Sequence, residues 1–215
     1  MTATSALAPV RSPNVVTGAG EVWLVRHAPT DWTGTRWCGR SDPPLTAEGR
    51  RLARATAARI AGELPAGPTI LSSPLRRAHE TALAIAAAID RPVELVDELV
   101  EVDFGRVEGL TWGELSTRHA ALAEAILAGG PVDWPDGETA HVVAARAAHV
   151  AAIVRARSLD GPLVVVTHGR LLAALRPELA GAGAVAVGVA AADTNLPVAP
   201  GGVIRVRFAG REGNE

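Results

Sequence analysis

The sequence contains no lysine: all 21 of its basic side chains are arginine. That absence excludes Schiff-base chemistry, pyridoxal-phosphate enzymes of the usual kind and the lysine of a P-loop. Cysteine is almost missing too. A lone Cys38 can form neither an intramolecular disulfide nor a four-cysteine zinc site, and it fits a reducing, cytoplasmic setting. The apolar stretches 82–89 and 180–192 fall short of the ~18 residues that span a membrane as a helix. A formal charge of −2 and a pI near 6.3 leave no basic field for nucleic acid or an anionic membrane. Residues 1–20 show neither a charged start before an apolar block nor an arginine-rich amphipathic pattern. They are expected to be a disordered lead-in rather than a targeting segment. There is no internal repeat.

What is present is ample core material. Hydrophobic residues make up 48% of 215 and charged residues 20%, which predicts one folded domain over residues 21–210. Glu21 to His27 is β-branched, aromatic and too short for a helix, so it reads as a buried strand. A helix starts at Thr46, with Ala53, Ala57, Ile60 and Leu64 on one face. Further strands are expected at Thr69–Ser72, Val93–Val96, Leu163–Thr167, Ala192–Pro197 and Val203–Phe208. Further helices are expected from Pro74 to Ile89, from Thr111 to His119, from Ala120 to Ala128, over a long stretch ending near Ser158, and from Gly169 to Leu179. Pro74 stands where proline opens a helix, and Pro177 is placed to end one early. In the long helix the stripe Val143, Ala147, Val150, Val154 faces the core, with Arg146, Arg155 and Arg157 mostly off it. This alternation predicts a three-layer α/β/α sandwich with a mixed, mainly parallel sheet.

In such a sheet, side chains just past the carboxyl ends of parallel strands gather along one edge. The first strand delivers Arg26-His27 there and the second delivers Ser72-Ser73-Pro74-Leu75-Arg76-Arg77-Ala78. The region after the third strand delivers Glu101, and the strand Leu163–Thr167 delivers His168-Gly169. Two histidines, arginines and a carboxylate thus converge from distant parts of the chain, as an enzyme handling a phosphoryl group requires. Arginine matches phosphoryl oxygens with a planar, permanently charged fork. Helix amino-termini after Ser73 and His168 are expected to offer free N–H groups to the same anion. A histidine nitrogen can attack phosphorus, and neighbouring arginine charge keeps that ring unprotonated. A carboxyl held close to phosphate oxygens gains proton affinity and can protonate a departing alkoxide. Arginine and histidine supply the countercharge that Mg²⁺ supplies elsewhere, so no metal and no cofactor are expected.

Leu24-Val25-Arg26-His27-Ala28-Pro29-Thr30 resembles the signature of the histidine phosphatase superfamily, the clan of phosphoglycerate mutases and related phosphatases. Four further segments agree in order: Asp42 to Gly49, Ser72 to Thr81, Glu101 to Gly105, and Val166 to Gly169. The resemblance spans roughly residues 21–180. It implies that His27 is the phosphorylated nucleophile, that Arg26 and Arg77 clamp the phosphate, that His168 hydrogen-bonds the transferring group, and that Glu101 is the proton donor. Arg76 competes with Arg77, and Glu98 and Asp103 compete with Glu101. Thr33, where many members have Asn, is an expected substrate-binding position together with Gly39 and Gly169. Ala28 replaces a usual Gly, and Val107 replaces a frequent Trp before Glu108-Gly109.

His79, His119, His141 and His149 fall on helices and read as bystanders, and Cys38 as a loop thiol near the pocket mouth. Trp32, Trp37 and Trp134 are either substrate-lining or packing anchors. The glycines at 181, 183 and 188 do not match a dinucleotide-binding pattern. The expected activity is metal-independent hydrolysis of small phosphomonoesters. The alternatives are a phosphoglycerate-type mutase and a non-catalytic phospho-ligand binding module. Mutases tend to be longer, and here the stretch between Glu101 and the long helix is short and carries only Arg106 and Arg118 as basic residues. The loop Arg36 to Asp42 resembles that of phosphatases of cobalamin nucleotide-loop assembly, a motif shared with broad-specificity relatives. Sugar phosphates, phosphoglycerates and nucleotide-like esters all stay open, as does the oligomeric state.

Overall fold

The computed structural model of the chain describes residues 20–187 and 198–208. Six strands form one sheet: β1 (Glu21–Arg26), β2 (Thr69–Ser72), β3 (Val93–Leu95), β4 (Leu163–Thr167), β5 (Ala184–Val187) and β6 (Val203–Phe208). Their spatial order is β3-β2-β4-β1-β6-β5. The four strands from β3 to β1 run parallel, while β6 lies antiparallel to both β1 and β5. The expected mixed, mainly parallel sheet is therefore present.

Alternate residues of the central strands are buried on both faces, which is why these strands read as near-continuous apolar runs. On one face Trp23, Val25, Ile70, Val164 and Val166 pack against α1 (Ala47–Glu63) and α2 (Arg76–Ile89). On the other, Val22, Leu24, Leu163 and Val165 pack against α5 (Ala140–Ser158) and α6 (Gly169–Gly181). Each such fully buried aliphatic side chain contributes roughly 1.5–3 kcal/mol over an exposed one. A third, smaller cluster of Val102, Phe104, Val107, Leu115 and Trp134 lies in the segment between β3 and α5. That segment also carries α3 (Trp112–Arg118) and α4 (Ala120–Leu127).

Thr46 caps α1 as expected, its hydroxyl accepting the Gly49 N–H at 2.8 Å. Two local readings, on Pro74 and Pro177, are corrected. Pro74 does not open α2; the helix starts at Arg76, after a turn in which the Leu75 N–H donates to Ser73 Oγ. Pro177 does not end α6, which continues to Gly181 because Leu172, Leu175 and Leu179 anchor it on the sheet. The cost of an interior proline, about 3 kcal/mol, is outweighed by that burial. The strand preceding β6 is found at Ala184–Val187, where alanine-rich sequence gives little strand propensity and the antiparallel pairing with β6 decides. The stretch expected as a strand at Ala192–Pro197 lies outside the described residues, as do Gly188 and residues 1–19. Arg146, off the apolar stripe of α5, has its side chain only 13% exposed.

No helix among the described residues is long and apolar enough to cross a membrane.

Candidate active site

The carboxyl ends of β1 and β4 are adjacent, so the residues that follow them meet. The ring centroids of His27 and His168 are 5.1 Å apart. Nδ1 of His27 lies 2.8 Å from the Ala28 carbonyl, a geometry in which Nδ1–H donates and Nε2 keeps its lone pair. Burial, then the charges of Arg77 and Arg26, push the His27 pKa down from 6.5 to about 3, against the pull of the Ala28 hydrogen bond. His168 is fully buried and lowered well below 6.5 by the same burial and the charges of Arg77, His27 and Arg26. Both rings are therefore neutral near pH 7.

Nε2 of His168 sits 2.8 Å from Ser73 Oγ, while its Nδ1 is buried without a partner among the described residues. The Nε atoms of Arg26 and Arg77 are buried and unpartnered in the same way. A buried N–H with nothing to bond costs about 1–3 kcal/mol. Such groups near one pair of imidazoles offer unpaired polar atoms suited to an anion.

Arg77 is completely buried, whereas Arg76 is exposed and pairs with Glu80 at 2.8 Å. The Arg77 fork donates to the carbonyls of Ser41 (2.6 Å) and Gly39 (2.8 Å). The N–H groups of that same loop go to a residue the sequence reading passed over. Glu108 accepts from Gly39, Arg40 and Ser41 at 3.0–3.3 Å. Loop 39–41 is thus gripped on its carbonyl side by a guanidinium and on its amide side by a carboxylate. Gly39 is required at this crossing, since a Cβ there would come within 2.4 Å of the Val102 carbonyl.

Glu101 is buried, at 5% exposure. Its carboxylate accepts the N–H groups of Val102, Arg170 and Leu171 at 2.9–3.0 Å. The expectation of free amides at two helix starts is corrected on this point. Glu101 occupies the start of α6, and Asp42 Oδ1 takes the Arg76 N–H at 2.6 Å at the start of α2. Each carboxyl group supplies an acceptor for N–H groups that a helix start leaves unbonded. Of the competing acids, Glu98 lies on the surface near His149, and Asp103 accepts the Gly105 N–H within its own turn. Arg146, on α5, holds the Glu101 segment from behind. It donates to the carbonyls of Glu98 and Val100 at 3.0 and 2.7 Å and forms a two-pronged pair with Glu138.

The remaining expected positions divide. Gly169 lies against the Arg26 guanidinium, where a Cβ would meet its carbon at 3.1 Å, so it belongs to the cluster. The Thr33 hydroxyl accepts the Thr30 N–H at 2.9 Å, and the Gly39 amide and carbonyl are taken by Glu108 and Arg77, so their polar groups serve the loops. Thr81 was not singled out, yet its hydroxyl accepts the Ala28 N–H at 3.0 Å and donates to the Arg77 carbonyl at 2.8 Å. Trp134 is buried in the small cluster against Phe104, ring centroids 4.4 Å apart, and is a packing anchor. Trp37 is half-buried beside it, and Trp32 packs by Gly109. Burial pushes the Cys38 thiol up to about 11, so it is a poor nucleophile. Among the described residues no group of three or more His, Cys, Asp or Glu side chains is placed to hold a metal ion.

Similar proteins can now be set beside this geometry. The chain is 38% identical to a bifunctional protein of Mycobacterium tuberculosis over 119 residues, 54% of this chain and 32% of that protein. It therefore spans about a third of that relative's length. Over larger shares it resembles an uncharacterized phosphatase, PhoE, of Bacillus subtilis, 31% identical over 74% of this chain and 77% of the relative. It also resembles a glucosyl-3-phosphoglycerate phosphatase of Mycolicibacterium vanbaalenii, 32% identical over 74% and 73%. Among solved structures, a mycobacterial glucosyl-3-phosphoglycerate phosphatase superposes with a TM-score of 0.68 at 28% identity, covering 86% of this chain and 88% of that one. The histidine phosphatase superfamily (branch 1) is matched over residues 22–210, a span that takes in both histidines, both arginines and Glu101, and the chain belongs to that superfamily.

Proposed function

We propose that this protein is a metal-independent phosphatase that hydrolyses small-molecule phosphomonoesters through a phosphohistidine on His27. One observation carries the reading. A neutral, buried His27, whose Nδ1 is turned to the Ala28 carbonyl, stands beside arginine and histidine nitrogens that lack a partner among the described residues. In this reading Nε2 attacks phosphorus, an N–P bond forms, and the ester P–O bond breaks. The Nε–H groups of Arg26 and Arg77 hold the phosphoryl oxygens. Ser73 Oγ accepts the Leu75 N–H and donates to Nε2 of His168, so Nδ1 of that ring carries a hydrogen for the phosphoryl group. Glu101 gives its proton to the leaving alkoxide. It then accepts one from the water that attacks phosphorus and releases inorganic phosphate, restoring His27.

Relatives named as phosphatases support hydrolysis, and others are named as probable phosphoglycerate mutases. Hydrolysis is preferred because the two basic residues between Glu101 and α5 are engaged, Arg106 with Asp136 and Arg118 with Glu114. The single cysteine, free and shielded, supports a cytoplasmic setting. The test is turnover of p-nitrophenyl phosphate in the presence of a chelator. Wild-type protein is expected to release phosphate, and His27→Ala to release none. Absence of turnover at every pH from about 5 to 8 would overturn the proposal in favour of a binding module, and loss on chelation would overturn its metal-free mechanism.

A further inference from the structure

Glu101 sits in a stretch that belongs to neither a helix nor the sheet. Residues 100–104 run between two single turns, Asp97–Leu99 and Gly105–Val107. Yet Leu99, Val100, Glu101, Val102 and Phe104 are buried. A buried backbone without a ladder must find its partners elsewhere, and here side chains supply them. Arg146 Nη1 donates to the carbonyls of Glu98 and Val100 at 3.0 and 2.7 Å, and Nη2 reaches the Glu101 carbonyl at 3.5 Å. Thr167, the residue before His168, donates its hydroxyl to the Leu99 carbonyl at 2.6 Å. Beyond the acid, the Asp103 N–H donates to Glu138 Oε2 at 2.8 Å, and its carbonyl accepts the Glu138 N–H at 3.0 Å. The turn leading into Glu138 passes so near that a Cβ on Gly137 would stand 2.4 Å from the Asp103 carbonyl oxygen.

Arg146 and Glu138 close this frame on each other through two bonds of 2.9 and 2.7 Å, with side chains 13% and 12% exposed. An ion pair so shielded adds little net stability over apolar groups of the same volume, whereas its fixed geometry orients whatever it holds. What it holds is the backbone on either side of Glu101. Arg146 also acts at longer range: burial, then the charges of Arg77, His27, Arg26 and Arg146, lower the His168 pKa.

We propose that Arg146 and Glu138 are positioning residues for proton donation. By fixing the backbone from Glu98 to Asp103 they set where the Glu101 carboxyl stands, and so how readily leaving groups that need a proton depart. The inference rests on the phosphatase reading and deepens it, since neither residue touches the reacting atoms.

The test is the ratio of kcat for ethyl phosphate to kcat for p-nitrophenyl phosphate. Departure of an alkoxide needs a proton and departure of p-nitrophenolate needs little, so the ratio reads the donor. It is internal to each variant, and a general loss of folded protein does not move it. Arg146→Lys keeps the positive charge near His168, but one ammonium cannot span two carbonyls and the Glu138 carboxylate. The ratio is expected to fall about 10-fold in this variant, with p-nitrophenyl phosphate turnover within about 3-fold of wild type, because a shift of ~1 Å is enough to impair transfer. Where Arg146→Lys does not fold, the paired variant Arg146→Met with Glu138→Gln, which leaves no unmatched charge between them, decides by the same ratio. In a Glu101→Gln background the substitution is expected to lower the ratio no further, since its effect runs through that carboxyl. A ratio within about 2-fold of wild type, or a fall that adds in full to that of Glu101→Gln, overturns the proposal and leaves the phosphatase reading intact. Failure of the wild-type protein to hydrolyse p-nitrophenyl phosphate overturns both.

Discussion

Acidification is expected to destabilise this protein through its paired histidines before its carboxylates respond. In the folded chain His27 has a pKa near 3, against an ordinary 6.5, and His168 is also well below 6.5. Between those limits the unfolded chain binds protons that the folded chain refuses. Folding free energy therefore rises with pH there and is lost as pH falls through 6.5. Each ring contributes a slope approaching 1.36 kcal/mol per pH unit. By pH 5 His27 costs about 2 kcal/mol out of a typical domain stability of roughly 5–15 kcal/mol, and His168 adds a loss of the same sign. The carboxyl of Glu138 is pushed up by burial but held lower overall by Arg146 and the Asp103 N–H. Its stability contribution is lost only below its ordinary 4.5, outside this window. Urea unfolding followed by tryptophan fluorescence at pH 7, 6 and 5 measures the slope. His27→Asn retains a donor for the Ala28 carbonyl without a titrating ring, so its pH 7-to-5 loss should be smaller by about 2 kcal/mol. A wild-type free energy that is flat over this range, or an identical loss in the variant, would refute the electrostatic account of the site.

Two further outcomes follow from the site. Glu101→Gln is expected to slow alkyl phosphates far more, on the order of 10²-fold, than p-nitrophenyl phosphate, whose leaving group needs little protonation. Equal slowing in steady-state assays would remove Glu101 from the acid role. Glu108→Ala strips the carboxylate from three loop N–H groups, one of them on the buried residue Gly39. A loss of about 2–4 kcal/mol in urea unfolding, with lower kcat, is expected. Stability within about 0.5 kcal/mol of wild type would show that the loop stands without that grip.

The residues of the candidate site were legible because each rides on a short local signal. Arg26-His27 and His168 end apolar strands, Arg77 sits at the start of a helix, and those strands are neighbours in the sheet. The parallel sheet was legible for the same reason: its strands are buried on both faces and so are apolar throughout. Arg146 shows the opposite case. Helical periodicity placed it off the apolar stripe, yet its fork is fixed by carbonyls 46 and 48 residues away in sequence. Glu108 could not be singled out either, because its partners lie 67–69 residues earlier, in a loop with no pattern of its own.

Local order along the chain thus decided which residue types reach the edge of the sheet: two imidazoles, their arginines and a nearby acid. The fold decided which of their polar atoms are left without a partner. It turned Arg77 inward and Arg76 outward, filled both helix starts with carboxylates, and stacked Arg170 on two indoles. The physical reason is that identity and spacing fix the charges a chain carries, whereas burial and pairing, which set what those charges can do, arise only where distant segments cross.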